Sequence, residues 1–313
     1  MAKKKILLFS DDLRMSSGVG TMSREFVLGT LKHYDWVQVG GAIKHPDSGK
    51  VIDMNESVRQ ETGVKDANLK IYPVDGYGSA ELLRYLITTE KPDAILHYTD
   101  PRFWEWLYQM EHEIRQHIPI FYYNIWDDLP YPMWNEPFYE SCDLIMNISK
   151  QTVNIVDNVR RDVPTNDWNN TYIPHGINHN NFYPINKEHK KYKELIKFRK
   201  LVTSGRDYDF VVFWNNRNIR RKLPGDVILA YKTFCDMLPT NKAKRCALIM
   251  HTQPKDPNGT DLPVVAQSIC PDYDVIFSSK KLDDEKLCFL YNIADIQINM
   301  ASNEGFGLGT CEA

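Results

Sequence analysis

The chain has 313 residues, of which 42% are hydrophobic and 25% charged, with 38 Lys+Arg against 41 Asp+Glu and a net charge of −3. That length and balance predict a soluble globular protein of about two domains. A mean hydropathy of −0.45 and apolar runs far short of the roughly 20 residues of a spanning helix exclude an integral membrane protein. The charge excludes a bulk electrostatic binder of nucleic acid, although a local basic patch stays open.

Ile6 to Phe9 follows a lysine cluster and is too short for a signal peptide; it reads as a buried parallel first strand, in a reducing cytoplasm. A glycine-bearing loop, Ser17-Gly18-Val19-Gly20, follows, then a helical pattern over Ser23 to Leu31. Strands are predicted at Val37 to Ile43, Ile71 to Val74, Ala94 to His97, Ile118 to Ile125, Leu144 to Ile148 and Tyr172 to Ile173. Helices are predicted at Ser79 to Thr88 and Phe103 to Arg115. This alternation predicts an α/β class with a mostly parallel sheet.

Composition shifts after Pro184. Residues 187–222 are rich in Lys and Arg, and Lys187 to Leu201 reads as a basic helix. A second series follows: strands at Phe210 to Trp214, Ala247 to Met250, Val275 to Phe277 and Ile296 to Met300, with helices at Asp226 to Met237 and Asp283 to Ile293. The expected domains are 1–184 and 185–313. The second reads as an incomplete doubly wound unit, because Ala313 falls where a helix is starting. None of the six cysteines forms C-x-x-C, so neither a disulfide framework nor structural zinc is expected.

Two stretches carry chemistry. Asn303-Glu304-Gly305-Phe306-Gly307 lies between a strand and a helix and runs on to Glu312. Glycines there let a backbone approach a ligand, and amides at a helix start suit a phosphate. The plain alternative is that the glycines only turn the chain. Arg217 and Lys222 follow the strand ending at Trp214, at the sheet edge where open α/β folds bind ligands. A planar fork and a point charge make a fitting pair for a diphosphate; the alternative is a solvated basic loop.

With Leu287 to Asp295, Lys91-Pro92-Asp93 and Ile173-Pro174-His175-Gly176, these stretches resemble retaining GT-B glycosyltransferases. The nearest type is glycosyltransferase family 4, whose E-x7-E motif matches Glu304 and Glu312. The resemblance implies two Rossmann-like domains facing a cleft, an N-terminal acceptor side and a C-terminal nucleotide-sugar side. It implies that Arg217 and Lys222 hold the donor diphosphate, that Glu312 binds ribose hydroxyls, and that Glu304 lies against the transferred sugar beside Gly305, Phe306 and Gly307. Gly18 and Gly20 would form the facing donor loop, and His175 would lie near the junction. The implied reaction retains anomeric configuration, with no metal and no cofactor beyond the donor. The acceptor stays open: glycan, lipid-linked glycan, protein, small molecule or modified nucleic-acid base.

One departure stands out. The family commonly has a His-bearing pair after the aromatic strand, whereas this chain has Asn124-Ile125-Trp126-Asp127-Asp128. Asp127 is the candidate to take part of that role; the other reading of both aspartates is a turn or helix cap. This departure keeps a second function open, a non-catalytic sugar-nucleotide binder or inactive fragment. A dinucleotide oxidoreductase fits less well, since Ser23 stands at the third glycine position of its fingerprint. Asp207-Tyr208-Asp209 and Asp272-Tyr273-Asp274 spell the D-x-D of metal-dependent transferases, but each precedes a strand rather than following one, so turns are expected.

Overall fold

The computed structural model describes residues 2–42, 46–161, 166 and 168–313. They divide into two compact units, Met1–His175 and Gly176–Ala313. The division falls before the expected 184/185 boundary: Phe182, Tyr183 and Ile185 pack into the core of the second unit.

The first unit is built on an eight-stranded sheet. Its strands are β1 (Lys4–Asp11), β2 (Tyr34–Gly41), β3 (Ile52–Asp53), β4 (Leu69–Pro73), β5 (Ala94–Tyr98), β6 (Ile120–Asn124), β7 (Leu144–Asn147) and β8 (Asn170–Tyr172). Their order is β3-β4-β2-β1-β5-β6-β7-β8. Every pairing is parallel except β3 with β4. The expected second strand ended at Ile43, which lies outside the described residues. Leu7 and Phe9 of β1 enter one apolar cluster with Val37, Val39, Ile95, Tyr122 and Trp104. This unit reverses winding direction between β1 and β5.

Serines start its helices. Ser17, Ser79 and Ser149 cap Gly18–Thr30, Ala80–Glu90 and Lys150–Val159, each hydroxyl accepting a bond from the amide three residues on. A cap of this kind contributes about 1 kcal/mol. The helix expected over Phe103 to Arg115 is broken instead, into a 3₁₀ turn (Pro101–Trp104) and two short helices, Glu105–Gln109 and Glu111–Ile114. The helices at Asn55–Thr62, whose one apolar residue is Val58, and at Lys150–Val159 went unpredicted.

Glu90 ties the helix ending there to the sheet. It is buried and accepts from Tyr72 Oη (2.8 Å), Lys70 Nζ (2.8 Å) and Lys5 Nζ (3.1 Å). Burial pushes its carboxyl up, but the bonds from Lys70, Tyr72 and Lys5 outweigh burial and bring it down to about 2. The stabilisation is therefore present above the usual Glu value and is lost as pH falls toward 2. Unfolding free energies from urea titrations between pH 7 and pH 3 should fall on the acid side by on the order of 2 kcal/mol, and Glu90→Gln should flatten that limb.

The second unit has β9 (Phe210–Asn215), β10 (Cys246–His251), β11 (Asp274–Ser278) and β12 (Ile296–Gln297), all parallel, in the order β11-β10-β9-β12. Alternate residues of β9 face opposite layers. Val212 and Trp214 pack with Val227, Ile228 and Tyr231 of the Pro224–Asp236 helix, while Val211 and Phe213 pack with Leu290 and Tyr291 of Asp284–Ile293. Helices on both faces of a parallel sheet define a Rossmann-like unit. The expected basic helix is Tyr192–Val202; its Leu195 and Phe198 pack into this core. Among the described residues no helix is long and apolar enough to cross a membrane.

Candidate functional site

In the second unit the winding direction reverses between β9 and β12, and ligands in such sheets gather at the carboxyl ends flanking that reversal. Both expected stretches arise there. The turn after β9 carries Arg220–Lys222, and the loop after β12 carries Glu304. Lys222 Nζ lies 2.5 Å from Glu304 Oε1, with the lysine side chain only 7% exposed. Glu304 Oε1 also accepts from Asn299 Nδ2 at 3.3 Å. Two further contacts fasten the loops to each other: Arg221 Nη1 donates to Asn303 O at 2.8 Å, and Ser302 N donates to Arg221 O at 2.9 Å.

The strand expected over Ile296 to Met300 is only Ile296–Gln297. Side chains take over where the ladder stops: Asn299 bonds Glu304 and Thr310, and its Oδ1 accepts from Ala301 N. The chain can then loop back over Lys222. Gly307 has φ +79°, left-handed backbone that favours glycine, and precedes the helix Leu308–Glu312. Gly305, Phe306 and Gly307 thus form the elbow next to the Lys222–Glu304 pair.

Glu312 returns beneath the elbow. Its Oε2 accepts from Tyr291 Oη at 2.7 Å, and Tyr291 Oη accepts from Asn215 Nδ2 at 2.9 Å. Burial pushes the Glu312 carboxyl up; the Tyr291 bond opposes this and Asp284 adds to it. Burial also pushes the Tyr291 phenol up, keeping it a donor. Sequence reasoning missed Tyr291, Asn215, Asn299 and Arg221. The strand-edge rule points to Asn215, the last residue of β9; nothing local marks Tyr291.

Arg217 is not brought to Glu304. Its Nε donates to Asp256 Oδ2 at 3.0 Å, and its side chain is 63% exposed. Asn218, fully buried, holds the loop that carries Asp256 by donating to the carbonyls of Gln253, Pro254 and Thr260. The cation that touches the elbow beside Lys222 is Arg221.

In the first unit Gly18 and Gly20 are the opening residues of a helix rather than a loop. A Cβ on Gly20 would lie 2.8 Å from Met15 O, so close packing explains that glycine; Gly18 is exposed. Ser17 Oγ donates to Asp11 Oδ2 at 3.0 Å. Burial pushes the Asp11 carboxyl up, and the Ser17 bond opposes it. Asp11 ends β1 at this unit's own winding reversal and was missed in the sequence. His175 is buried between Tyr123 Oη (2.9 Å from Nδ1) and Tyr98 Oη (3.1 Å from Nε2). Burial brings its pKa down to about 4, so the ring is neutral at pH 7. Asp127 lies half-buried after β6, and its exposed neighbour Asp128 accepts from Leu129 N at 2.9 Å.

Both D-x-D stretches lie at the amino ends of strands, away from the elbow. Asp274 pairs with Arg206 at 2.7 Å and accepts from Tyr208 Oη; Asp209 pairs with Arg245. Among the described residues no group of three or more His, Cys, Asp or Glu side chains is arranged to hold a metal.

Two Rossmann-like units of this build constitute the GT-B fold. Solved structures share it at low identity. One, of E. coli trehalose-6-phosphate bound with UDP-2-fluoro glucose, is 12% identical with a TM-score of 0.67, covering 99% of this chain and 81% of that one. An α,α-trehalose-phosphate synthase (UDP-forming) from Burkholderia vietnamiensis is 11% identical with a TM-score of 0.61, covering 100% and 80%. A trehalose-6-phosphate synthase analysed for glycosyl transfer with retention is 14% identical with a TM-score of 0.61, covering 99% and 80%. No protein-family model matches the sequence, and no curated protein does.

Proposed function

We propose that this chain is a glycosyltransferase that moves a sugar from a nucleoside-diphosphate sugar to an acceptor hydroxyl. The observation that carries the reading is the Lys222–Glu304 pair at the winding reversal of the second unit, backed by Glu312, Tyr291 and Asn215. A buried ammonium beside a glycine elbow suits a diphosphate, and two carboxylates nearby suit sugar and ribose hydroxyls. The UDP complex and the UDP-forming neighbour of the same fold support a nucleotide-sugar donor.

In this reading the bond from sugar C1 to the diphosphate oxygen breaks, the acceptor oxygen bonds to C1, and the acceptor's proton passes to the departing phosphate. Negative charge grows on that phosphate, and Lys222 stabilises it. Arg217 joins by exchanging Asp256 for phosphate oxygen. Glu304 is not assigned as a covalent nucleophile, since the acceptor attacks from the leaving-group face; it orients the sugar, its Oε1 held by Lys222 and Asn299. Glu312 binds ribose hydroxyls, and the Gly305–Gly307 amides face the donor. Retention follows if the acceptor attacks from the leaving-group side; the neighbour analysed for glycosyl transfer with retention supports that outcome. No metal takes part, so EDTA should leave the rate unchanged. The family 4 type rests on the E-x7-E spacing of Glu304 and Glu312. The first unit, with Gly18, Gly20 and Asp127, serves the acceptor side and the approach to the donor. Six unpaired cysteines suit a reducing cytoplasm.

Calorimetric titration with UDP, GDP and ADP, paired with hydrolysis assays on their glucose conjugates, tests the reading. Binding of one diphosphate with release of glucose supports it; no binding of any of them overturns it. The missing family histidine near Asp127 favours one second reading, a sugar-nucleotide binder without turnover. Binding with no hydrolysis and no transfer would select that one.

A further inference from the structure

We propose that the loop after β6 is the acceptor subsite, and that the acceptor it takes is an uncharged saccharide rather than a sugar phosphate or a nucleic acid. The proposal rests on the transferase reading above and names the substrate class of that reaction. Leu129, Tyr131, Met133 and Trp134 are all exposed within six residues, Trp134 at 56%. This density of apolar surface on one loop marks a binding surface rather than chance exposure.

The rings are held in place. Trp134 stands edge-on to Trp126 with centroids 6.1 Å apart, and Arg102 lies 5.0 Å over the Trp126 ring. Trp126 is tied down through Nε1 to Asp128 O (3.0 Å), through its amide to Asn124 Oδ1 (3.1 Å) and through its carbonyl to Thr152 Oγ1 (3.0 Å). Tyr131 Oη accepts from Asn154 at 3.3 Å. A rigid ring loses little entropy when the apolar C–H face of a ligand stacks on it.

Charge then chooses among flat ligands. Stretches 100–106 and 126–136 contain Asp100, Glu105, Asp127, Asp128 and Glu136 against one base, Arg102. That guanidinium and Asp100 neutralise each other through two parallel bonds, at 3.0 and 2.5 Å, which leaves Glu105, Asp127, Asp128 and Glu136 as the surplus charge. Carboxylates repel a phosphate and a polynucleotide backbone, while they accept hydrogen bonds from sugar hydroxyls. A neutral pyranose meets both requirements, with its C–H face on Trp134 and its hydroxyls toward the acids.

Ligand-observed NMR on the whole chain tests this. The probes are maltotriose, cellotriose, mannotriose, glucose 6-phosphate and a short oligothymidylate. At least one neutral trisaccharide should bind saturably and more tightly than either phosphate-bearing probe. Trp134→Ala should weaken that binding about fivefold to tenfold, and Trp134→Phe should keep most of it. Melting curves and nucleoside-diphosphate binding are measured on the same samples and should match in wild type and both variants, the first showing that the variants fold and the second that the donor site is unchanged. Tighter binding of glucose 6-phosphate or oligothymidylate, no binding of any neutral trisaccharide, or unchanged binding in Trp134→Ala overturns the proposal. Failure of the wild type to bind any of UDP, GDP and ADP would instead overturn the donor reading, with the trisaccharide result still readable.

Discussion

Replacing Lys222 by methionine is expected to lower turnover of a nucleotide sugar by about 10²-fold or more, the size typical of removing one preorganised charge from the site of developing negative charge. The ammonium is nearly buried and 2.5 Å from Glu304. Its removal also leaves the carboxylate without its cation, which costs stability in its own right. The two effects separate in the double variant Lys222→Met/Glu304→Gln. Neutralising the orphaned carboxylate should restore most of the thermal stability lost in the single variant, and turnover should stay low. Full recovery of rate in the double variant would mean that the lysine only balances Glu304. Steady-state kinetics and melting curves on the same samples decide it.

Trp104→Ala is expected to destabilise the protein by about 3–5 kcal/mol, the range for deleting a large buried aromatic. Trp104 is 0% exposed, meets Phe9 and His97 edge-on or tilted at 5.3 and 5.7 Å, and packs among β1, β2 and β5. Trp134→Ala should change stability by less than about 0.5 kcal/mol, as exposed positions do. Urea unfolding of both variants makes the comparison. Composition cannot separate these tryptophans; both lie in aromatic-rich stretches that admit core packing or sugar stacking alike. Only the fold puts one ring inside and the other out.

The class of fold was legible because its signals are local. Ile6 to Phe9 and Val211 to Trp214 are apolar runs that only a sheet covered on both faces can bury. Ser79 and Asp283 each stand one residue before a helix, as caps do. Glu304 and Lys222 could be marked as candidates because glycines and cations at strand ends have few other uses. Less was legible where the pattern is thin, as in the short helix at Asn55–Thr62, or where an apolar run is too short for periodicity to separate helix from strand, as at Leu262–Ile269.

By itself, then, the sequence determined the alternation of strands and helices, the two-unit organisation and the stretches that carry charge and glycine. The tertiary structure decided partners. Lys222 meets Glu304 across about eighty residues of chain while Arg217, five positions earlier, turns to Asp256. Tyr291 reaches Glu312 only because a helix packs its inner face on β9. The reason is physical: propensity and periodicity act over a turn or two, whereas a charge finds its partner only after strand order has set which loops are neighbours.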